Sequence, residues 1–510
     1  MKVPASLIVG VLTCLGGCTV GPNYHTPATT IPDAYDTHAT TRPAVAMPRS
    51  RPVNLARWWR SLQDPELDSL VQRAVAANLD LEIALTRLQE ARTYESVVLG
   101  GALPVADFSG AAGRGSGTNS TKSRISGPLN AGTNTTGLRE ITQVVGFDAG
   151  WELDLFGRYR REIEAAGDET QAMLDQRNAV LISVVADVAR AYMDYRDLQV
   201  RLSIAQDNIR IEQQSVDVVQ ERFNRGLTNE LDLALARRQL ETLQSALPPL
   251  RDDLVVAQRR IAVLLGEYPG KIAAELTKPA RLPMVPENIA PGLPVDLLRR
   301  RPDIREAERE VAQATARVGV ATANLFPRVA ITAGIGMQGQ GLGRTPAVNS
   351  FLWSAGPSAY WPLLDFGTLD ALIGIEDLRT HEALVNYKRT ILAAVEEVEN
   401  AISSYDAQQQ RLRDLANALT ASQRAVDLAQ QRYNRGLTDF LNVLDAERQL
   451  YELQDQYAVA QEDVVVQFIS LYKGLGGGWE EYQKIPPLRK PQPAIVATVR
   501  EILSPDHPEK

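Results

Sequence analysis

Cys18 is the residue of this chain whose surroundings most clearly predict a chemical reaction. It follows Leu15, Gly16 and Gly17, and this order resembles the bacterial lipobox, in which the cysteine thiol is covalently lipidated. Residues 1–17 contain one lysine, an apolar run and then small residues, which is typical of a secretory signal. We therefore predict that residues 1–17 are removed and that Cys18 becomes a lipid-modified N-terminus. The alternative is an ordinary secreted protein with an unmodified cysteine.

Composition argues against most other kinds of chemistry. The chain has 510 residues, a net charge of −8, four histidines and two cysteines. The negative charge argues against a nucleic-acid partner. Three of the four histidines lie near the termini, which leaves little for a His-based catalytic or zinc site. We therefore expect no enzyme activity, no bound metal and no cofactor other than the lipid at Cys18.

Asp148 and Glu152 occupy one face of a predicted β-strand. Around them, apolar residues from Val145 to Leu153 alternate with small or acidic ones, and residues 329–338 show the same alternation without charges. This period of two is typical of a membrane barrel strand with lipid outside and water inside, so we predict that Asp148 and Glu152 face a barrel lumen. A soluble sandwich would alternate in the same way, but the signal peptide and the strand lengths favour a barrel.

The elements that must position these residues occur twice. Residues 221–244 and 431–454 are identical at 13 of 24 aligned positions, at a constant offset of 210. Each copy predicts a long helix with a heptad seam, then a tight turn and a returning helix. The first long helix is predicted to run from about 158 to 225. Pro248 and Pro249 must kink or break the first returning helix.

Each half also supplies two predicted strands. They span about 105–117 and 141–154 in the first half, and about 328–338 and 350–363 in the second. Four strands cannot close around a pore, because membrane barrels need at least about eight. Several chains must therefore share one barrel, although this count does not give their number.

These features together resemble the TolC-type outer-membrane efflux channels, in the lipoprotein branch known as the NodT/OprM family. The resemblance covers roughly residues 15–480 and implies a mixed α and β membrane protein. In this fold a homotrimer forms a twelve-stranded transmembrane β-barrel, with four strands from each chain, that continues into a long α-helical coiled-coil tunnel in the periplasm. The matching motifs are the lipobox at Cys18, Trp58-Trp59 followed by Asp64-Pro65-Glu66-Leu67, Arg300-Arg301-Pro302-Asp303-Ile304 with Ala307-Glu308, Ala321-x-Ala323-x-Leu325-Phe326-Pro327 and the two Arg-Gly-Leu-Thr turns.

Together with composition, the resemblance divides the chain into six parts. An equatorial region of short helices and strands is expected from residues 52–90, 266–300 and the C-terminal part. The predicted parts are the signal peptide (1–17), the lipid anchor and extended strap (18–51), repeat 1 (52–265), the equatorial connector (266–300), repeat 2 (301–480) and a Pro-rich tail (481–510).

The family resemblance implies a passive exit duct in the outer membrane of a Gram-negative bacterium, extending into the periplasm. An inner-membrane pump of the resistance-nodulation-division type would drive drugs or toxic small molecules through it by way of a periplasmic adaptor, also called a membrane fusion protein. The alternative is the exit duct of a type I protein secretion system. The lipobox and the Arg-Arg-Pro-Asp segment favour efflux. A trimeric adhesin or spacer would need neither the second repeat nor a polar lumen.

The two exposed turns resemble the segments that meet the adaptor hairpin. An exposed leucine beside a small glycine offers a knob for close packing. The alternative is that each glycine only caps a helix, and both roles can hold together. The predicted docking residues are Arg225, Gly226, Leu227 and Thr228 in the first turn, and Arg435, Gly436, Leu437 and Thr438 in the second.

Two aspartates beyond the turns are candidates for a ring of carboxylates at the pore constriction. Asp445 is the best match to the family pattern, and Asp232 in the first half stands opposite Asn442 of the second; a solvated helix face is an equal alternative for Asp232. Asn442 stands where a second acid is expected, which leaves the depth of the ring open. Such a ring favours cations. Opening is expected as an iris motion, with Glu212 and Ser422 as weak points of the seam.

Overall fold

The structure is a computed structural model of a single chain. Cys18, the signal segment and the tail from residue 483 onward lie outside the described residues, so the predictions made for them are not addressed by it. The described residues are 19–29, 31, 32, 34, 35, 54–114, 141–272, 275, 276, 282, 283, 285, 294–340 and 351–482.

Helices and strands follow the same order in both halves: a helix, a pair of strands, a long helix and a returning helix. In the described part of the chain, short 3-10 helices lie at Leu55–Leu62, Pro294–Asp296 and Glu480–Tyr482. The helices are α1 (Pro65–Ala77), α2 (Leu79–Gly101), α3 (Arg158–Asn224), α4 (Glu230–Ser245), α5 (Leu247–Leu264), α6 (Leu297–Arg300), α7 (Pro302–Ala323), α8 (Thr368–Asn434) and α9 (Phe440–Gly474), and the strands are β1 (Val105–Arg114), β2 (Ile141–Leu153), β3 (Arg328–Gln340) and β4 (Phe351–Tyr360).

The two long helices confirm the prediction from the heptad seam. Helices α3 and α8 have 67 residues each, which corresponds to a length of about 100 Å. Each begins after a glycine in the left-handed region, Gly157 with φ 81° and Gly367 with φ 82°. The returning helix of the first half stops at Ser245 and resumes as α5, whose first turn contains Pro248 and Pro249. A proline is tolerated there because first-turn amides have no helical acceptor.

The four strands form one antiparallel sheet in the order β1-β2-β3-β4. The central pair joins the two halves of the chain, since β2 belongs to the first half and β3 to the second. The predicted strands are therefore present, with bounds that differ by a few residues at their ends.

One face of this sheet is apolar and exposed in the single chain. Phe108, Phe147, Ile335 and Trp353 are successive cross-strand neighbours, one from each strand. Their exposed fractions are 66%, 58%, 48% and 72%. The next row, on the opposite face, contains Asp107, Asp148, Gly334 and Ser354. The alternation predicted from the sequence is therefore present across the whole sheet.

The largest apolar core lies midway along the helices. Trp58, in the first 3-10 helix, stacks on Tyr472 of α9 with ring centroids 6.0 Å apart, and Trp59 meets it edge-on at 5.9 Å. Both indoles are almost completely buried. The Trp-Trp motif thus packs the N-terminal helices against the C-terminal end of α9.

Of the short helices and strands expected from residues 52–90, 266–300 and the C-terminal part, the described part of the first segment supplies helices. Residues 54–90 contain helices and no strand, and α2 extends over 23 residues. The physical reason is helical periodicity: Leu81, Ala84, Leu88 and Ala91 are spaced by three and four residues, and all are buried. Among the described residues, none of the helices has the length and apolar character needed to cross a membrane.

Candidate functional site

The first predicted docking turn, after α3, closes with two backbone hydrogen bonds. The amide of Gly226 donates to the carbonyl of Phe223, and the amide of Leu227 donates to the carbonyl of Arg222, both at 2.9 Å. This pair of bonds is the Schellman motif, which places a residue in the left-handed region just after a helix. Gly226 has φ 68° accordingly, and a Cβ added there would meet no atom within 4 Å.

The second docking turn, after α8, repeats this geometry. Gly436 donates to Tyr433 and Leu437 donates to Arg432, again at 2.9 Å, and Gly436 has φ 71°. The capping role of both glycines is therefore present. The leucine that follows is also exposed in both turns, 62% for Leu227 and 64% for Leu437.

The threonines of the turns bind the start of the returning helices. The hydroxyl of Thr228 donates to the carboxylate of Asp232, whereas Thr438 accepts a hydrogen bond from the Nδ2 of Asn442 at 2.9 Å. The carboxylate of Asp232 is therefore hydrogen-bonded within its own turn, and Asn442 occupies the equivalent position in the second half. Arg225 forms an ion pair with Glu221 of its own helix.

Asp445 is exposed on α9 and is paired. Arg448 donates to its Oδ1 at 3.0 Å, and Gln449 donates to its Oδ2 at 2.9 Å. The side chains of Asp445 and Arg448 are 52% and 67% exposed, so solvent screens the pair and it adds little to stability. The structure thus places the guanidinium of Arg448 beside Asp445, the carboxylate that the sequence analysis identified as a candidate for the constriction.

The two acidic residues of β2 have different surroundings. Asp148 is 8% exposed and its Oδ2 accepts a hydrogen bond from the Ser109 hydroxyl at 3.2 Å. Glu152, at the end of the strand, accepts from the Nε of Arg158 at 3.1 Å. Glu152 therefore joins the sheet to the start of α3, while Asp148 lies within the polar face.

The N-terminal strap docks at the same junction between sheet and helices. The amide of Val20 donates to the carbonyl of Phe156 at 3.2 Å. Arg161, with a side chain only 3% exposed, donates from Nε to the carbonyl of Val20 at 3.2 Å and from Nη2 to Asn23 Oδ1 at 2.7 Å. A Cβ on Gly21 would lie 2.5 Å from the Cα of Gly319 on α7. Thr19 itself lies against Gly157, at the junction between the sheet and α3.

Sequence reasoning missed several buried carboxyl groups between α3 and α9. Burial and neighbouring carboxyls raise the pKa of Asp197 on α3 and of Glu462 on α9. Glu447 on α9 is 1% exposed, opposite the seam residue Glu212. Glu212 was visible as a polar residue in an apolar seam, whereas the others had no such signal. Within the described ranges, no cluster of three or more His, Cys, Asp or Glu side chains is arranged to hold a metal ion.

Comparison with known proteins gives matches along most of the chain. A family model described as outer membrane efflux protein matches residues 70–267 and 293–477. Nodulation protein T of Rhizobium leguminosarum bv. trifolii is 28% identical over 470 residues, covering 92% of this chain and 96% of that protein. The cation efflux system protein CusC of Escherichia coli is 29% identical over 477 residues, covering 92% and 98%. The solved structure of the outer-membrane channel OprN superimposes with a TM-score of 0.80 at 34% identity, covering 92% of this chain and all of that one.

Proposed function

We propose that three copies of this chain, which belongs to the outer membrane efflux protein family, assemble around one continuous exit duct. The chain is the outer-membrane component of an efflux system of a Gram-negative bacterium and extends into the periplasm. One observation supports the assembly most directly: the four-stranded sheet has an exposed apolar face and two open edges. Such a sheet is stable in a bilayer only when its edges are paired.

The edges suit pairing between copies. The edge strands β1 and β4 have ten residues each, while the inner strands have thirteen. In the proposed assembly, β1 of one copy pairs with β4 of the next, and three copies give twelve strands. The apolar row through Phe147 and Ile335 then faces lipid, and the polar row through Asp148 faces the lumen. The chain has no catalytic role in this proposal.

The helical hairpins would form the periplasmic tunnel, with the docking turns at its inner end. Leu227 and Leu437 are supported as contacts for a periplasmic adaptor because both project from a glycine turn and remain exposed. An inner-membrane pump would supply the energy through that adaptor. A lipid at Cys18 is compatible with the position of the strap, since Thr19 lies against Gly157 at the start of α3, at the end of the helices from which the sheet extends.

The constriction would carry three copies of Asp445, each beside Arg448. The paired arginine offsets part of the negative charge, so the ring would favour cations less than three free carboxylates. Asp445→Asn is expected to lower the cation preference of the pore, and Arg448→Gln to raise it. Glu452→Gln, an exposed neutralisation further along α9, is the matched control. The cation preference is measured as the reversal potential in asymmetric salt across a planar bilayer. Equal reversal potentials for all three variants would show that neither Asp445 nor Arg448 lies at the constriction.

A deletion strain tests the duct itself. Loss of the gene product is expected to increase sensitivity to a panel of metal cations and organic toxic compounds, and the full chain is expected to restore resistance. A chain with both Leu227→Asp and Leu437→Asp is expected to remain trimeric by light scattering but to lose roughly tenfold or more in adaptor affinity, and with it resistance. The control is a chain with Thr420→Asp and Gln423→Asp, which adds the same two negative charges at exposed positions of α8 away from the turns. A monomeric wild-type protein would refute the proposal.

A further inference from the structure

Two glutamates from different hairpins lie in one buried site of the helical region. Glu212 on α3 is 0% exposed and Glu447 on α9 is 1% exposed. Glu212 precedes Gly226 by about four helical turns, and Glu447 follows Gly436 by about three, so the pair lies near the tunnel end that the docking turns form. Its position is therefore one where α3 and α9 must separate if the hairpins move apart.

The two carboxyl groups have few partners. The oxygens of Glu212 accept no hydrogen bond of regular geometry, although the Tyr451 hydroxyl lies close enough to interact with them. Of Glu447 only Oε1 accepts a hydrogen bond, at 2.8 Å from the Nε2 of Gln430 on α8. Tyr451, one turn beyond Glu447, is the other polar group that faces Glu212, and its hydroxyl is buried as well. An unpaired buried carboxylate is costly, so this site favours the neutral acids.

No positive charge compensates the pair. Among the residues that the structure describes, no Lys, Arg or His forms an ion pair with Glu212 or Glu447. The buried side chains of α4 are the apolar Leu233, Ala236 and Leu240 and the uncharged Gln239. Arg222, on the side of the docking turn, lies over the ring of Tyr433 at 4.6 Å. Further up the same two helices, by contrast, Arg201 and Asp455 form an ion pair at 2.7 Å.

These surroundings shift the titration of both acids in one direction. Burial, and then the nearby Glu447, raise the pKa of Glu212 from 4.5 to about 8. Burial also raises the pKa of Glu447. When the helices are packed, the site therefore retains protons at neutral pH that it would release to water if the helices separated.

We propose that Glu212 and Glu447 form a proton-controlled latch between the two helical hairpins, which holds α3 against α9 while both acids are neutral and releases them on ionisation. This inference rests on the proposed function, because it assigns the latch to the opening of the duct. The signal is the proton concentration of the periplasm. Tyr451 and Gln430 complete the latch by facing the acids from α9 and α8.

The direction of the pH response follows from linkage. For groups whose pKa is raised in the packed state, the packing is fully favourable below the ordinary carboxyl pKa and is lost as the pH rises through the raised value. For Glu212 this range extends from 4.5 to about 8. Within it, the ratio of separated to packed helices rises up to about tenfold per pH unit for each proton released.

Spin labels on the full-length trimer test the latch. The sequence has two native cysteines, Cys14, which is predicted to be removed with the signal, and Cys18, whose thiol is predicted to be lipidated. Cysteines introduced at the exposed positions Gln214 on α3 and Gln449 on α9 can therefore be labelled selectively. Labelled chains are diluted with unlabelled ones, and the distance between the labels is measured from about pH 6 to about pH 9. It is expected to lengthen with rising pH.

The variants separate the latch from other effects of pH. Glu212→Gln and Glu447→Gln are each expected to weaken the pH response, because one ionisable acid remains, and the double variant is expected to keep the short distance at every pH. Glu452→Gln is expected to respond as the wild type does. A wild-type distance that does not change with pH, or a full response retained in either single variant or in the double variant, would overturn the latch. Conductance in planar bilayers is read separately: its absence at every pH would refute the duct, whereas the distances decide the latch.

Discussion

Replacing Arg161 with alanine is expected to free the N-terminal strap from the base of the sheet. Arg161 makes two good hydrogen bonds to the strap, to the carbonyl of Val20 at 3.2 Å and to Asn23 Oδ1 at 2.7 Å. Hydrogen bonds from a charged donor contribute about 1.5–3 kcal/mol each. The two together give at least about 3 kcal/mol, which corresponds to roughly a hundredfold change in the population of the detached strap.

Hydrogen exchange of the Val20 amide measures this directly, because that amide is bonded to the carbonyl of Phe156 in the docked strap. Its protection is expected to fall about a hundredfold in Arg161→Ala and by a smaller factor in Arg161→Lys, which retains the charge but not the planar guanidinium. Arg160→Ala is the control, since that neighbouring side chain pairs with Asp154 and is 42% exposed. Unchanged protection in Arg161→Ala, or an equal loss in Arg160→Ala, would refute the assigned role of Arg161.

Two further predictions concern the docking turns and the sheet. Gly436→Ala places a side chain in the left-handed region and is expected to destabilise its turn by about 1–2 kcal/mol, which faster hydrogen exchange of the Leu437 amide would show. Gly436→Asn is expected to destabilise the turn less, because asparagine adopts this region more readily. Equal exchange in the wild type and both variants would contradict the assigned Schellman motif. Ile335→Arg on the apolar face is expected to destabilise the barrel in the membrane by about 2–4 kcal/mol and to lower the yield of heat-resistant trimer. Thr332→Arg on the polar face is the control and is expected to leave that yield unchanged. Equal yields for the two variants would argue against a lipid-facing row.

The sequence by itself determined the features that depend on local periodicity. The seam predicted a first long helix from about 158 to 225, and α3 runs from Arg158 to Asn224. Alternation predicted the strands, and Pro248-Pro249 predicted the break between α4 and α5. The repeated Asn-Arg-Gly-Leu-Thr segments predicted two equal turns, which the hydrogen bonds at Gly226 and Gly436 confirm. Each of these rests on contacts within one helix, strand or turn, so neighbouring residues are sufficient to specify it.

Tertiary structure alone decided what depends on contacts between distant segments. The pairing of β2 with β3 joins strands from different halves, and the strap meets α3 and α7 far along the chain. The burial of Glu447 also depends on contacts between distant segments. The sequence around it predicts an ordinary exposed helix face, and only the packing of α9 against α3 buries it opposite Glu212. Burial and the proximity of a second charge set the protonation of an acid, and both are properties of the assembled helices.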